Sequence, residues 1–185
     1  KRDEWSQSLH EFNLYGNWIL SLIIVIPFLL FPILLTNIFG ANFSEKEDLL
    51  VFQIVLFYGS INLFKQGVGR MLLVKDKMWL SFLSQSTWTV CIVVFSFLLK
   101  DHGAVGVAIG FLISYLINIL LIFPYQCKQL DMDMRDIFSR TVSLLWIFLI
   151  LDIIVGHYLD SHLLRMAILV FNWIIIYRLI KSKFI

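Results

Sequence analysis

Six long apolar runs divide the chain, covering residues 17–39, 49–74, 78–99, 105–125, 141–158 and 163–180. A helix needs roughly 20 apolar residues to cross a bilayer. The runs are continuously apolar rather than alternating, and a barrel would need many more strands. The pattern therefore predicts an all-α polytopic membrane protein with six transmembrane helices. The breaks between runs, at 40–48, 75–77, 100–103, 126–140 and 156–162, are polar and turn-like. The longest contains DMDMRDIF, which reads as a short amphipathic helix on the membrane surface. Residues 1–16 mix charges with Trp5, Leu9, Phe12 and Leu14 and read as an interfacial lead-in to a lobe over 17–185.

The cations test this division. With alternating sides, Lys1, Arg2, Arg70, Lys75, Lys77, Lys128, Arg135, Arg140, Arg178, Lys181 and Lys183 fall on one side. The other receives Lys46, Lys100 and Arg165, and Lys65 lies within a span. Cytoplasmic loops are those enriched in Lys and Arg, so both termini of the segment are expected in the cytoplasm. A miscounted helix would have scrambled the bias.

Composition agrees. The chain is 59% hydrophobic and 15% charged, well below the roughly 25% charged residues of soluble domains. It does not begin with Met, and Lys1-Arg2-Asp3-Glu4 is no signal peptide, so an N-terminal portion is expected upstream. Cys91 and Cys127 sit at different depths, which argues against a disulfide, and no Cys/His spacing suggests a metal. The four histidines fall near loops and read as interfacial. GxSxG, HExxH, P-loop and dinucleotide-turn motifs are absent. Neither an enzyme, a cofactor nor a nucleic-acid partner is expected; membrane lipids are.

Polar residues within spans carry the functional signal, because each costs free energy unless paired or hydrated. On the second span Tyr58, Asn62, Lys65, Gln66 and Gly69 recur on one side at helical spacing, with Arg70 beside them. Such a stripe would line a water-filled cavity, and its cations would suit an anionic substrate such as a phosphate or sugar acid. The plainer reading is that Lys65 and Arg70 snorkel to the cytoplasmic interface. Asp152 is the acidic residue of an otherwise apolar span. It reads as a structural pair with Arg165 across the last hairpin, the two lying about 12 Å and 7 Å from the turn. The alternative is a proton or cation site. Ser84, Gln85, Asn118 and Asn172 read as interhelical hydrogen-bonders, and Gly106, Gly110 and Ser114 as a close-packing face. Pro27 and Pro32 mark a kinked or bending first span.

Four pieces in order, FPILLTNIFGANFSE, GRMLLVKDK, KDHGAVGVAIGFLISYLINILL and the last helix pair with its basic tail, resemble the C-terminal half of bacterial polysaccharide flippases. These are the O-antigen translocase type, within the superfamily of multidrug and oligosaccharide-lipid exporters. GAVGVAIG is the most specific piece, and the resemblance covers about residues 10–185. It implies one lobe of a twelve-helix, MATE-like exporter that flips undecaprenyl-diphosphate-linked oligosaccharide across the inner membrane. It also implies an N-terminal lobe of the same protein as partner and Lys65 and Arg70 as candidates for the diphosphate; glycan polymerases are further candidate partners. A cation-coupled multidrug antiporter of the same fold is the first alternative, since Asp152 is a membrane carboxylate. A membrane enzyme of glycan assembly is the second, and the short loops argue against it.

Overall fold

A computed structural model describes residues 2–40, 43 and 45–184, with side chains described outside residues 2–11, 136 and 184. The helices are α1 (Arg2–Leu30), α2 (Leu34–Phe39), α3 (Lys46–Val74), α4 (Met78–Leu98), α5 (Gly103–Leu121), α6 (Phe123–Gln129), α7 (Met134–Ile137), α8 (Arg140–Tyr158) and α9 (His162–Phe184). A 3-10 turn, Lys100–His102, precedes α5. The described residues contain no strand. Six helical segments are long and apolar enough to span a membrane: Phe12–Leu30, Lys46–Val74, Met78–Leu98, Lys100–Gln129, Arg140–Tyr158 and His162–Lys183. The protein is an all-α polytopic membrane protein, as the apolar runs predict.

The first span differs from its predicted bounds. The apolar span begins at Phe12, within a helix that is already formed at Arg2, and Leu14, Tyr15 and Trp18 are core residues. Nothing in 2–16 breaks a helix, and the polar Asn13 and Asn17 fall away from the face that carries Leu14 and Trp18. At the other end the helix stops at Leu30 rather than running to Phe39. The two prolines act differently. Pro27 stays helical, and its carbonyl still accepts from the Phe31 amide at 2.8 Å. Pro32 ends the helix, since it offers no amide and its ring clashes with the carbonyl four residues back. The chain resumes as the short α2.

α1 and α3 form the centre of the bundle. α8 and α9 pack on α1, α5 packs on α3, and α4 packs chiefly on α5. Without a hydrophobic force between helices in lipid, association rests on close packing and hydrogen bonds. Both are present at Trp18, which is fully buried. Its indole stacks on Trp146 at 5.1 Å, meets Phe64 edge-on at 5.0 Å, and donates to Ser60 Oγ at 3.0 Å. Glycines let backbones touch. A Cβ on Gly67 would sit 2.4 Å from the Leu14 carbonyl oxygen, and one on Gly156 1.9 Å from that of Leu29. Gly110 likewise meets the backbone of Phe95 and Ser96, so the Gly106–Gly110–Ser114 face does pack α5 on α4. The outer face of α4 is largely apolar, with Phe82 75% exposed, and carries the exposed Gln85 and Thr89 among its hydrophobic residues.

The loops gather at two ends as the charge alternation requires. At one end Lys75 Nζ donates to the Leu130 carbonyl at 2.9 Å, and Lys77 Nζ donates to Gln129. There too Lys183 lies over the Tyr15 ring, whose hydroxyl donates to the Ile137 carbonyl at 3.0 Å. The DMDMRDIF stretch is not a separate surface helix. It makes the single turn α7, capped by Asp133 on the Arg135 amide, and Ile137 is buried beneath the bundle's end. Its apolar residues recur closely enough to plug the bundle but not to build a longer amphipathic helix. At the opposite end Glu47, Asp48, Asp101 and His102 line a recess of about 620 Å³.

Two outcomes are expected. In intact cells, a membrane-impermeant thiol reagent should label single cysteines placed at Lys46, Asp101 or Asp160 and spare those at Asp76 or Asp131; the reverse pattern would invert the topology. Gly156→Ala should lower the melting temperature, at about the 1–3 kcal/mol typical of overpacking. Gly59→Ala, where a Cβ meets nothing within 4 Å, should not lower it.

Candidate functional site

The predicted stripe on α3 divides in two. Tyr58 and Lys65 turn towards α5, where Tyr58 stacks on Tyr115 with ring centres 5.6 Å apart. Lys65 Nζ donates to Ser84 Oγ at 3.2 Å and to Asn118 Oδ1, and sits 5.7 Å from the centre of the Tyr115 ring. Ser84 and Asn118 bond one another as well: Ser84 Oγ donates to Asn118 Oδ1 at 2.9 Å, and Asn118 Nδ2 to the Ser84 carbonyl at 2.7 Å. Lys65 therefore does not snorkel along its own helix. It reaches sideways into a polar knot joining α3, α4 and α5. Among the described residues no carboxylate lies within ion-pair distance of it. Its charge is held by neutral oxygens and an aromatic face alone.

The other half of the stripe stays on the outside. Gln66 is exposed, Asn62, Gly69 and Arg70 are half-buried, and a Cβ on Gly59 or Gly69 would meet nothing within 4 Å. Arg70 leans the other way from Lys65, donating through Nη2 to the Asn13 carbonyl of α1 at 2.9 Å. The two cations thus do not share one face, because five residues along a helix turn a side chain by about 140°. Gln85 does not bridge helices as predicted. It lies exposed on α4, on the side away from Ser84.

The last hairpin corrects the predicted ion pair. Asp152 and Arg165 do not meet. Asp152 is fully buried, and both its carboxylate oxygens accept from Asn172 Nδ2 at 2.9 Å. Arg165 instead donates through Nε to the Leu159 carbonyl at 2.8 Å and through Nη2 to that of Gly156 at 3.1 Å, with Asp160 at 3.8 Å. The reason is local. The last carbonyls of α8 have no helical donors, and a cation at a helix C-terminus is favourable. In an antiparallel hairpin turning at Asp160, the level of Asp152 falls between Arg165 and Asn172, offset by about 4.5 Å and 6 Å. Distance alone did not choose between them; the free carbonyls took the arginine.

Beside this pair lies Gln53 of α3, fully buried. Its Nε2 donates to the Leu29 carbonyl at 2.7 Å and lies 3.5 Å from that of Ile153. The oxygens Gln53 Oε1 and Asn172 Oδ1 are buried without a hydrogen-bond partner. Gln53 was missed from the sequence. An amide within a span, at the level where the first helix breaks at Pro32, was the available signal. The described residues hold no group of three His, Cys, Asp or Glu side chains suited to a metal.

No family model matches the chain, and no match was found among curated proteins or among solved structures.

Double-mutant cycles should register these partners. Asp152→Asn and Asn172→Ala should couple by about 0.5–3 kcal/mol in thermal stability, whereas Asp152→Asn and Arg165→Gln should add within about 0.5 kcal/mol. Strong coupling of Asp152 to Arg165 would restore the ion pair.

Proposed function

We propose that this chain is one lobe of a transporter that flips undecaprenyl-diphosphate-linked oligosaccharide across the bacterial inner membrane. One observation carries the reading: α3 keeps an outward face of Gly59, Asn62, Gln66 and Gly69, half-buried or exposed, on which a Cβ at either glycine would meet nothing within 4 Å. Amides against hydrocarbon are costly, so polar side chains at membrane depth face a bundle interior or a water-filled cavity. A cavity closed by a second lobe would turn this face into one wall. Lys65 stands next to it with no carboxylate partner, which suits a substrate bearing negative charge, as a diphosphate does. The resemblance of four segments to polysaccharide flippases supports the same class.

In this reading the termini of the segment face the cytoplasm, as the Lys and Arg bias favours. The missing wall is an N-terminal lobe of the same protein, and glycan polymerases are candidate partners beyond it. The drug-antiporter reading is weaker, because Asp152 is buried against Asn172 rather than presented on the α3 face. The enzyme reading is weaker because the connections between the spans are short.

The test is complementation of a bacterial strain lacking its own polysaccharide flippase with the full-length gene, reading surface polysaccharide and resistance to cationic dyes together. Polysaccharide should return with dye resistance unchanged. Lys65→Ala should then cut export by about tenfold, the scale of one charge-assisted hydrogen bond, at normal membrane abundance. Lys65→Arg should retain most of it. Full export by Lys65→Ala would remove Lys65 from the substrate path, and dye resistance without polysaccharide would favour the antiporter.

A further inference from the structure

Several cations at one end of the bundle are already committed. Arg70, Lys75 and Lys77 donate to the backbone carbonyls of Asn13, Leu130 and Gln129, and Lys183 lies over the Tyr15 ring. Arg140 at the start of α8, and Arg178 and Lys181 near the end of α9, are instead exposed. Among the described residues no hydrogen bond or ion pair holds their side chains. The last hairpin brings these three to nearly one level. Its register is fixed by Phe148 and Phe171, whose rings lie 5.1 Å apart. Arg140 stands about 12 Å from Phe148 along α8, and Arg178 and Lys181 about 10.5 Å and 15 Å from Phe171 along α9, in the same direction. Helical spacing keeps Arg178 on the Phe171 side of α9, while Leu144 and Arg140 continue the row of Phe148 at every fourth residue of α8. Between the ring pair and the cations the surface is apolar, with Leu144 and Ile174 exposed. Tyr177, also exposed, stands next to Arg178, as aromatic residues do where hydrocarbon meets head groups.

We propose that Arg140, Arg178 and Lys181 seat the head group of an anionic phospholipid, with an acyl chain along the apolar strip that runs from them to Phe148 and Phe171. Charge selects the head group. Each guanidinium presents paired N–H donors that match phosphate oxygens, and the lysine adds a point charge. A zwitterionic head group would bring its own ammonium to a patch with no carboxylate in ion-pair distance among the described residues. Three cations at one level also repel one another, and a shared anion relieves that repulsion. The strip selects a lipid over a soluble anion, because an amphiphile meets the cations and covers the hydrocarbon-facing surface at the same time. The assignment does not depend on what the chain transports, so either it or the flippase reading can fail alone.

The test is the thermal melting of the purified full-length protein in nanodiscs, followed by tryptophan fluorescence, as phosphatidylglycerol replaces phosphatidylcholine at fixed ionic strength. The melting temperature should rise with the phosphatidylglycerol fraction and then saturate. Arg140→Gln and Arg178→Gln should each weaken the apparent affinity about fivefold, the scale of one basic residue at an anionic surface, and together they should flatten the response. Lys128→Gln removes an exposed cation of the same end but outside the patch, and should leave the response unchanged. Melting that ignores phosphatidylglycerol overturns the site. So does an equal shift from Lys128→Gln, which would reduce the effect to the charge of the whole face. A rise reproduced by inorganic phosphate in phosphatidylcholine discs overturns the lipid as the ligand.

Discussion

The bond from Gln53 to the Leu29 carbonyl answers the constraint that shapes this protein. In hydrocarbon a backbone carbonyl without a donor has no water to turn to. Pro32 forces α1 to end inside the bundle rather than beyond it, and the last turn of any helix leaves carbonyls over. A side-chain amide from α3 meets one of them, and Gly156 of α8 brings its backbone against the same carbonyl. Three helices are therefore fixed to one another at the point where one of them breaks. The helix end is not a loose hinge but a pinned one.

The buried charges follow the same rule in a form that ion-pair reasoning does not anticipate. Lys65 is held by a hydroxyl, an amide oxygen and an aromatic face; Arg165 by carbonyls; Asp152 by an amide. None of the three is neutralised by another. Opposite charges placed together would have given a quiet structural pair, which removes both from chemistry. Lys65 and Asp152, on separate helices, are met by dipoles and an aromatic face alone, whereas Arg165 at the hairpin turn also has Asp160 at 3.8 Å. That is costly for stability, and an intramembrane charge left in this way marks a candidate functional position.

The spans and their order were legible because they depend on length and hydropathy, which are additive along the chain. Within the spans, legibility ended where partner choice began. Helical spacing put Tyr58, Asn62, Lys65 and Gln66 on one broad side of α3, but α5 covers only part of that side, so Lys65 turned in while Gln66 stayed out. Ser84 and Asn118 were visible as polar residues yet not as one knot, since nothing in the spacing says which helices adjoin. Asp152 had two partners within reach, and the winner was decided by the free carbonyls of α8, a feature of helix ends and not of the side-chain pattern. The start of the first span was set too late for a related reason: mixed charge suggested a break near residue 16, while the helical pattern runs on through Leu14 and Trp18 and the apolar span begins at Phe12.

α3 joins these features mechanically. Gln53 and Lys65 stand twelve residues apart, about 18 Å along one rigid helix. At one level α3 is tied to the broken end of α1 and to α8; at the other it is tied to α4 and α5 and shows its polar face outward. A rotation of α3 large enough to swing Lys65 away from Ser84 must also carry Gln53, and with it the bond to Leu29. The open face cannot be re-aimed while the break at Pro32 stays pinned. Motion at the one therefore demands rearrangement at the other.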